Sequence, residues 1–137
     1  MFFSLVICTY NRPESLRRLL DSINSQSRKF DEVIVVDASE HEHYQRMMDL
    51  MSHFSDFKYH HVDTNNKGLT RQRNLGVRLI NSQSTHVTFL DDDLVLESNF
   101  LANLETAFIH HADAIGISGM DMVENRYFKV EKSSDYS

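Results

Sequence analysis

Asp91-Asp92-Asp93 follows directly on Val87-Thr88-Phe89-Leu90, a short apolar run rich in strand formers. Carboxylates this close repel one another unless a proton or a cation lies between them. Such hard oxygen ligands suit Mg²⁺ or Mn²⁺, which bind one or two carboxylates and complete their shell with water and substrate phosphates. If the strand runs on to Asp93, its period of two sets Asp91 and Asp93 on one side and Asp92 on the other, an Asp-x-Asp pattern. Alone, the triplet reads more readily as a solvated acidic loop. Its place at the end of an apolar strand, with Asp37 closing Val33-Ile34-Val35-Val36 in the same way, shifts the reading toward a site.

Cationic and amide groups cluster in Asn65-Asn66-Lys67-Gly68-Leu69-Thr70-Arg71-Gln72-Arg73-Asn74-Leu75-Gly76. Gly68 permits a tight entry to a helix, whose N-terminal amides attract phosphate. Arg71 and Asn74 are three residues apart and share a face. Arg73 points elsewhere, so the two arginines serve different purposes, and Gly76 allows the helix to lie close on a sheet. By itself the segment reads equally well as a solvated basic face.

These groups need elements to position them, and the hydrophobic period supplies them. Leu5-Val6-Ile7-Cys8 reads as a buried strand that ends in Thr9-Tyr10-Asn11-Arg12. Pro13 then opens a helix marked by Leu16, Leu19, Leu20 and Ile23. Residues 33–36 form a second buried strand, and Tyr44, Met47, Met48 and Met51 mark a second helix. Phe57 to Val62 is a third, less buried strand. A polar turn from Asp63 to Gly68 leads into a helix through Leu75, Leu79 and Ile80, then the fourth strand at 87–90. A helix through Phe100, Leu101, Leu104 and Phe108 and a strand at 114–120 complete the pattern. Strands alternating with helices predict a three-layer α/β/α domain with a mostly parallel sheet. In such sheets ligands bind beyond the carboxyl ends of the strands, where three of these strands end in polar groups.

Composition removes the competing classes. The chain has 137 residues, 41% hydrophobic and 25% charged, with few Gly (4) and Pro (1), as in one soluble globular domain. Its net charge of −6 has the wrong sign for binding a phosphate backbone, so nucleic acid is excluded as the main partner. The single Cys8 forms no internal disulfide or multi-cysteine zinc site, and its place in an apolar strand predicts an inert buried thiol. The apolar opening lacks a basic residue before it and a cleavage site after it, and it is far shorter than a membrane span. Cytoplasmic localisation is expected. His41-Glu42-His43, His60-His61 and His110-His111 make no His-Glu-x-x-His motif and are read as surface residues; Met47, Met48 and Met51 are read as helix core.

Four motifs occur in register: Ser4-Leu5-Val6-Ile7-Cys8-Thr9-Tyr10-Asn11-Arg12, Val35-Val36-Asp37-Ala38-Ser39, Asn66-Lys67-Gly68 with Arg73-Asn74-Leu75-Gly76, and Phe89-Leu90-Asp91-Asp92-Asp93. Together, over residues 3–120, they resemble the nucleotide-sugar-binding half of a family 2 glycosyltransferase with the Rossmann-like GT-A fold. The resemblance implies that Thr9, Tyr10 and Arg12 line the nucleotide base and that Asp37 accepts a hydrogen bond from uracil. It further implies that Gly68 and Arg71 or Arg73 approach the nucleotide, that Asp91 holds ribose, and that Asp93, with Asp91, reaches a Mg²⁺ or Mn²⁺ bridging the diphosphate. Gln72 stands where relatives often have Ala, which leaves the choice between Arg71 and Arg73 open.

The implied activity is inverting transfer of a sugar from a nucleoside-diphosphate sugar, UDP-sugar first, to an acceptor hydroxyl of a glycan or polysaccharide. The family's general base lies well beyond the Asp-x-Asp. Here only Asp121 and Glu124 offer weak candidates, so the catalytic residue is unassigned and residues 1–120 are expected to be a donor half truncated at its C-terminus. Residues 121–137 are expected to be a polar tail or the start of the acceptor-binding part. The alternative is a module that binds nucleotide and metal without chemistry. A signalling receiver domain fits worse, because Thr9-Tyr10 stands where receivers carry an acidic pair. Peripheral association with the inner face of a membrane and the oligomeric state stay open.

Overall fold

The computed structural model describes residues 1–119 and the backbone of 129–132. In chain order the elements are β1 (Phe3–Thr9), α1 (Pro13–Asn24), β2 (Glu32–Asp37), α2 (His41–Ser52), β3 (Lys58–His61), a 3₁₀ turn (Thr64–Asn66), α3 (Leu69–Leu79), β4 (His86–Asp91), α4 (Phe100–His110), β5 (Ala114–Ser118) and β6 (Lys129–Lys132). Four strands form a parallel sheet in the order β3-β2-β1-β4, with Leu5 beside Val33 and Thr88, and Ile7 beside Val35 and Leu90.

The central strands carry apolar side chains on both faces, as a sheet covered on both sides requires. Phe3, Leu5 and Ile7 of β1 and Val33 and Val35 of β2 meet Leu16, Leu19, Leu20 and Ile23 of α1, Met47, Leu50 and Met51 of α2, and Leu101 and Leu104 of α4. On the opposite face Ile34 and Val36 pack with Leu75 and Leu79 of α3. Gly76 lets α3 lie directly on β1: a Cβ there would stand 2.3 Å from Cγ1 of Val6. Proline at its first turn and an acidic Glu14 start α1 where the backbone amides need no partner and favour negative charge.

The chain path follows from handedness. β1 to β2 to β3 moves one way across the sheet, and the α3 crossover then returns past β2 and β1 to place β4 on the other side of β1. Right-handed crossovers in opposite directions put α3 on the opposite face from α1 and α2.

Several expectations need correction. β4 ends at Asp91 and the chain turns at Asp92 and Asp93, so the strand period does not extend to the last two carboxylates. Met48 is exposed, because the buried stripe of α2 runs through Met47, Leu50 and Met51, one residue out of phase with it, and Phe54 is buried just beyond the helix end. Cys8 is half-buried rather than buried. His41, His60, His110 and His111 are exposed, whereas His61 is half-buried with its ring against Tyr44 and its Nε2 2.8 Å from the Ser39 carbonyl. The predicted last strand appears as β5, paired antiparallel with β6 in a separate two-stranded sheet, so four residues of the predicted tail are strand. Asp121 and Glu124 lie outside the described residues.

Candidate functional site

Where the direction of a doubly wound sheet reverses, the loops leaving neighbouring strands diverge and open a crevice. The reversal here falls between β1 and β4. A cleft of about 470 Å³ lies there, walled by Cys8, Thr9, Tyr10 and Arg12 on the β1 side, by Lys67, Gly68, Leu69 and Gln72 at the entry to α3, and by Asp91, Asp92 and Asp93 after β4. Of the residues singled out from sequence, it brings together Thr9, Tyr10, Arg12, Gly68, Asp91 and Asp93. Cys8, Lys67, Leu69, Gln72 and Asp92 are additions.

The loop after β1 is held by its neighbour. Asn11 takes the left-handed region, φ 54°, which asparagine tolerates better than most side chains. Its amide donates to Ser39 Oγ at 2.9 Å, and its Oδ1 accepts from the Glu40 amide at 2.9 Å. These two bonds tie the loop leaving β1 to the loop leaving β2.

The three aspartates differ sharply. Asp92 is buried and accepts from Thr9 Oγ1 at 2.9 Å and from Arg12 Nη1 at 3.3 Å. The side chain of Asp91 is 61% exposed and meets Arg73 Nη2 at 3.3 Å. Asp93 is exposed and has no hydrogen bond or ion pair among the described residues. Asp92 thus fastens the β4 loop to the β1 loop, while Asp91 and Asp93 face the cleft with free oxygens. The two-residue period hid the part played by Asp92 because it assumed a strand where the chain turns.

Across the cleft, the Lys67 ammonium stands 3.7 Å from the Tyr10 ring centroid and 3.7 Å from Glu40 Oε1. Its pKa is raised, first by its contact with the Tyr10 hydroxyl and then by Glu40, so it is charged at any physiological pH. Gly68 precedes α3 at φ 127°, a conformation reserved in practice for glycine. Burial pushes the Cys8 thiol up to about 11, with Asp91 and Asp92 adding to it against Arg73, so the thiol stays protonated and unreactive.

Asp37, Arg71 and Arg73 are not among the residues that wall the cleft. Asp37 is fully buried; its Oδ1 accepts from the Ser39 amide at 2.8 Å and from Ser39 Oγ, and its Oδ2 accepts from the Tyr59 hydroxyl at 2.5 Å. Burial and that carboxylate raise the Tyr59 pKa well above its ordinary value. Arg71 donates to the Asn65 carbonyl at 2.6 Å and lines a separate groove with Asn66, Asn74 and Arg78. The pair therefore divides as the helical spacing predicted: Arg73 lies beside Asp91, Arg71 on another face.

The donor set fits a hard divalent cation. Asp91 and Asp93 offer exposed carboxylate oxygens at the rim of an open cleft, with room for water and phosphate oxygens to complete six ligands. No cluster of three or more His, Cys, Asp or Glu side chains able to hold a metal occurs among the described residues.

Comparison with known proteins bears on this geometry. The family description "Glycosyl transferase family 2" matches residues 4–134. The chain belongs to glycosyl transferase family 2. This family 2 chain is 30% identical over 122 residues to the glucosyl-dolichyl phosphate glucuronosyltransferase of Haloferax volcanii, a match covering 87% of this chain and 38% of that relative. Among solved structures, S. aureus TarS superposes with a TM-score of 0.70 at 26% identity, over 93% of this chain and 23% of TarS. TarS 1-349 in complex with UDP-GlcNAc gives 0.66 at 25% identity, over 89% and 36%. The mannosyltransferase PcManGT from Pyrobaculum calidifontis, in complex with GDP-Man and Mn²⁺, shares the fold at a TM-score of 0.64 and 24% identity, over 77% and 32%. The neighbours are GT-A transferases, and the chain spans well under half the length of these relatives. No helix among the described residues is long and apolar enough to cross a membrane.

Proposed function

We propose that the cleft binds the nucleoside diphosphate of a sugar donor, a UDP-sugar in first place, and that the enzyme to which this fold belongs transfers the sugar to an acceptor hydroxyl with inversion. The observation that carries this reading is the division of labour among the three aspartates: one welds the cleft, two present open oxygens to it, and Lys67 and the start of α3 stand opposite. That arrangement suits a ligand with both a flat, hydrogen-bonding end and a multiply charged end. The complex of TarS with UDP-GlcNAc supports the same class of ligand.

In this reading Thr9, Tyr10 and Arg12 border the base, Asp91 holds ribose, and Asp93, with Asp91, holds Mg²⁺ or Mn²⁺. When bound, the cation would neutralise the charge that develops on the departing diphosphate. The residues of the chain do the positioning. Lys67 and the unbonded amides at the start of α3 attract the phosphates, Arg73 offsets the charge of Asp91, and the Asp92–Thr9–Arg12 bonds fix the wall against which the nucleotide lies. The carboxylate of Asp37 holds Ser39 and Ser39 holds Asn11, which orders the loop between Tyr10 and Arg12. The base that deprotonates the acceptor is not assigned to any described residue. The Haloferax relative's name includes a dolichyl phosphate, which supports an acceptor carried on a lipid and peripheral membrane association.

The test is a thermal-shift panel of UDP, GDP and dTDP with Mg²⁺. A ligand at one hundred times its Kd adds about 2.7 kcal/mol, or roughly 10 °C for a domain of this size. UDP is expected to give the largest shift. A flat response to all three nucleotides would contradict the proposal.

A further inference from the structure

Gln72 is the buried polar side chain that joins the most pieces of the cleft. It lies in the first turns of α3, 4% exposed, facing the sheet. Its Nε2 donates to the Thr9 carbonyl at 3.1 Å and to the Val36 carbonyl at 3.0 Å, using both amide hydrogens. Its Oε1 accepts from the Gly68 amide at 3.2 Å. One carboxamide thus spans the carboxyl end of β1, the carboxyl end of β2 and the glycine that starts α3.

The location matters because the β1–β2 ladder runs out there. Thr9 and Asp37 are its last paired residues, and the Ala38 amide donates to the same Thr9 carbonyl at 3.1 Å. Beyond this point no strand pairing sets where α3 begins relative to β1. The entry runs through a glycine at φ 127°, and no side chain caps the helix from Gly68. An alanine at position 72 would leave the Gly68 amide and the Val36 carbonyl without this partner, and both sit against the cleft or directly behind it.

We infer that Gln72 is a positioning residue for the donor site: its carboxamide sets the spacing between the Thr9–Tyr10 wall and the Lys67–Gly68 wall, and so the fit of the nucleoside diphosphate between them. This rests on the donor-site reading above. The polar atoms of Gln72 are taken up by the protein's own backbone. Its effect is on the placement of the cleft walls, and displacements of about 1 Å in ligand-binding groups weaken productive binding strongly.

Calorimetric titration of UDP with Mg²⁺ into the full chain and its variants tests the inference. Gln72→Ala is expected to bind about tenfold more weakly while staying folded by circular dichroism, and amide exchange at Gly68 should accelerate more than at core positions of β1. Gln72→Met keeps the volume without the amide and should show the same loss, which covers the case of an alanine variant that does not fold. Gln72→Glu adds a readout that a merely structural role would not move. Its carboxylate would face two carbonyl oxygens, so its affinity relative to the parent should recover as falling pH returns a proton to it. The charged groups around the position are Asp37 beyond Val36, Lys67 before Gly68, Asp92 and Arg12 beyond Thr9, and Arg71 and Arg73 on α3; they are common to both proteins and cancel in the ratio. Parent-like affinity in the folded Ala and Met variants, or a pH-independent ratio for Gln72→Glu, would overturn the inference alone. No nucleotide binding by the parent would overturn the donor reading and this inference with it.

Discussion

The two ends of the parallel sheet are built from the same residue types to opposite effect. At the amino end, Glu32 is buried, and its carboxylate accepts from Ser4 Oγ at 2.8 Å, from the Asn81 amide at 2.9 Å and from Lys58 Nζ at 2.5 Å. Asp31 beside it accepts from the Phe3 amide at 2.8 Å and from Arg28 Nη1 at 2.9 Å. At the carboxyl end Asp93 has no such partner among the described residues, and Asp91 has one contact at 3.3 Å. Carboxylates closed by donors hold a fold together, whereas carboxylates left open beside a cation-friendly cleft mark where a ligand completes them. The contrast predicts that substituting a closed carboxylate, such as Glu32, alters stability and that substituting an open one, such as Asp93, alters binding.

The largest effect is expected at Asp93. Asp93→Ala should weaken Mg²⁺-dependent UDP binding about 100-fold or more, about 2.7 kcal/mol, while unfolding stability changes by less than about 0.5 kcal/mol. Isothermal calorimetry and urea denaturation of the same preparation check both halves. A large stability loss would erase the contrast.

Glu32→Gln is the reciprocal case, with about 1–3 kcal/mol lost in denaturation and unaltered UDP affinity. Its pH dependence has a definite sign. Burial works to raise the Glu32 pKa, but Lys58, the Asn81 amide and Ser4 outweigh it, and the folded value lies below the ordinary one. The stability Glu32 contributes is therefore fully present above the unfolded carboxyl value of about 4.3 and is lost as pH falls through the lower folded value. Parent and variant should keep a constant difference from pH 7 to about 5 and converge in more acid solution. A gap that persisted unchanged in acid would show that the carboxylate charge is irrelevant.

Between the two ends, Gly76→Ala should cost about 1–3 kcal/mol, because its Cβ would collide with the stiff side chain of Val6. Adding Val6→Ala should return part of that loss, and an additive double mutant would argue against the contact. The smallest effect is expected at Arg71: its groove is separate from the cleft, so Arg71→Ala should change UDP affinity by less than about twofold. A tenfold loss would extend the donor site to that face of α3.

Much of this was readable before any coordinates. The alternation of apolar periods placed the four parallel strands and four helices, because β1, β2 and β4 carry short apolar runs bounded by polar turns; β3, Lys58–His61 at the sheet edge, is polar and was marked by Tyr59 with Phe57 and Val62 at its flanks. Gly68 and Gly76 were legible as backbone requirements, and the structure gives each a concrete cause. The site was only half legible. Types of residue placed Thr9, Tyr10, Arg12, Asp91 and Asp93 at strand ends, but Asp92 and Gln72 depend on where β4 stops and where α3 starts. Those are boundaries a period cannot locate. Asp37 shows the reverse: its position at a strand end was right, yet the partners that enclose it come from Ser39 and Tyr59, one of them across the sheet. Met48 was misplaced because a run of adjacent methionines cannot all share one helical stripe.

The central claim is that the open carboxylates at the carboxyl end of the sheet bind a nucleoside diphosphate through a divalent cation. Calorimetric titration of UDP into the chain with Mn²⁺, repeated in EDTA, tests it most directly. Binding with Mn²⁺ that disappears in EDTA is the predicted result. Equal binding in both solutions would contradict the role of Asp91 and Asp93, and no binding of UDP, GDP or dTDP in either would contradict the claim itself.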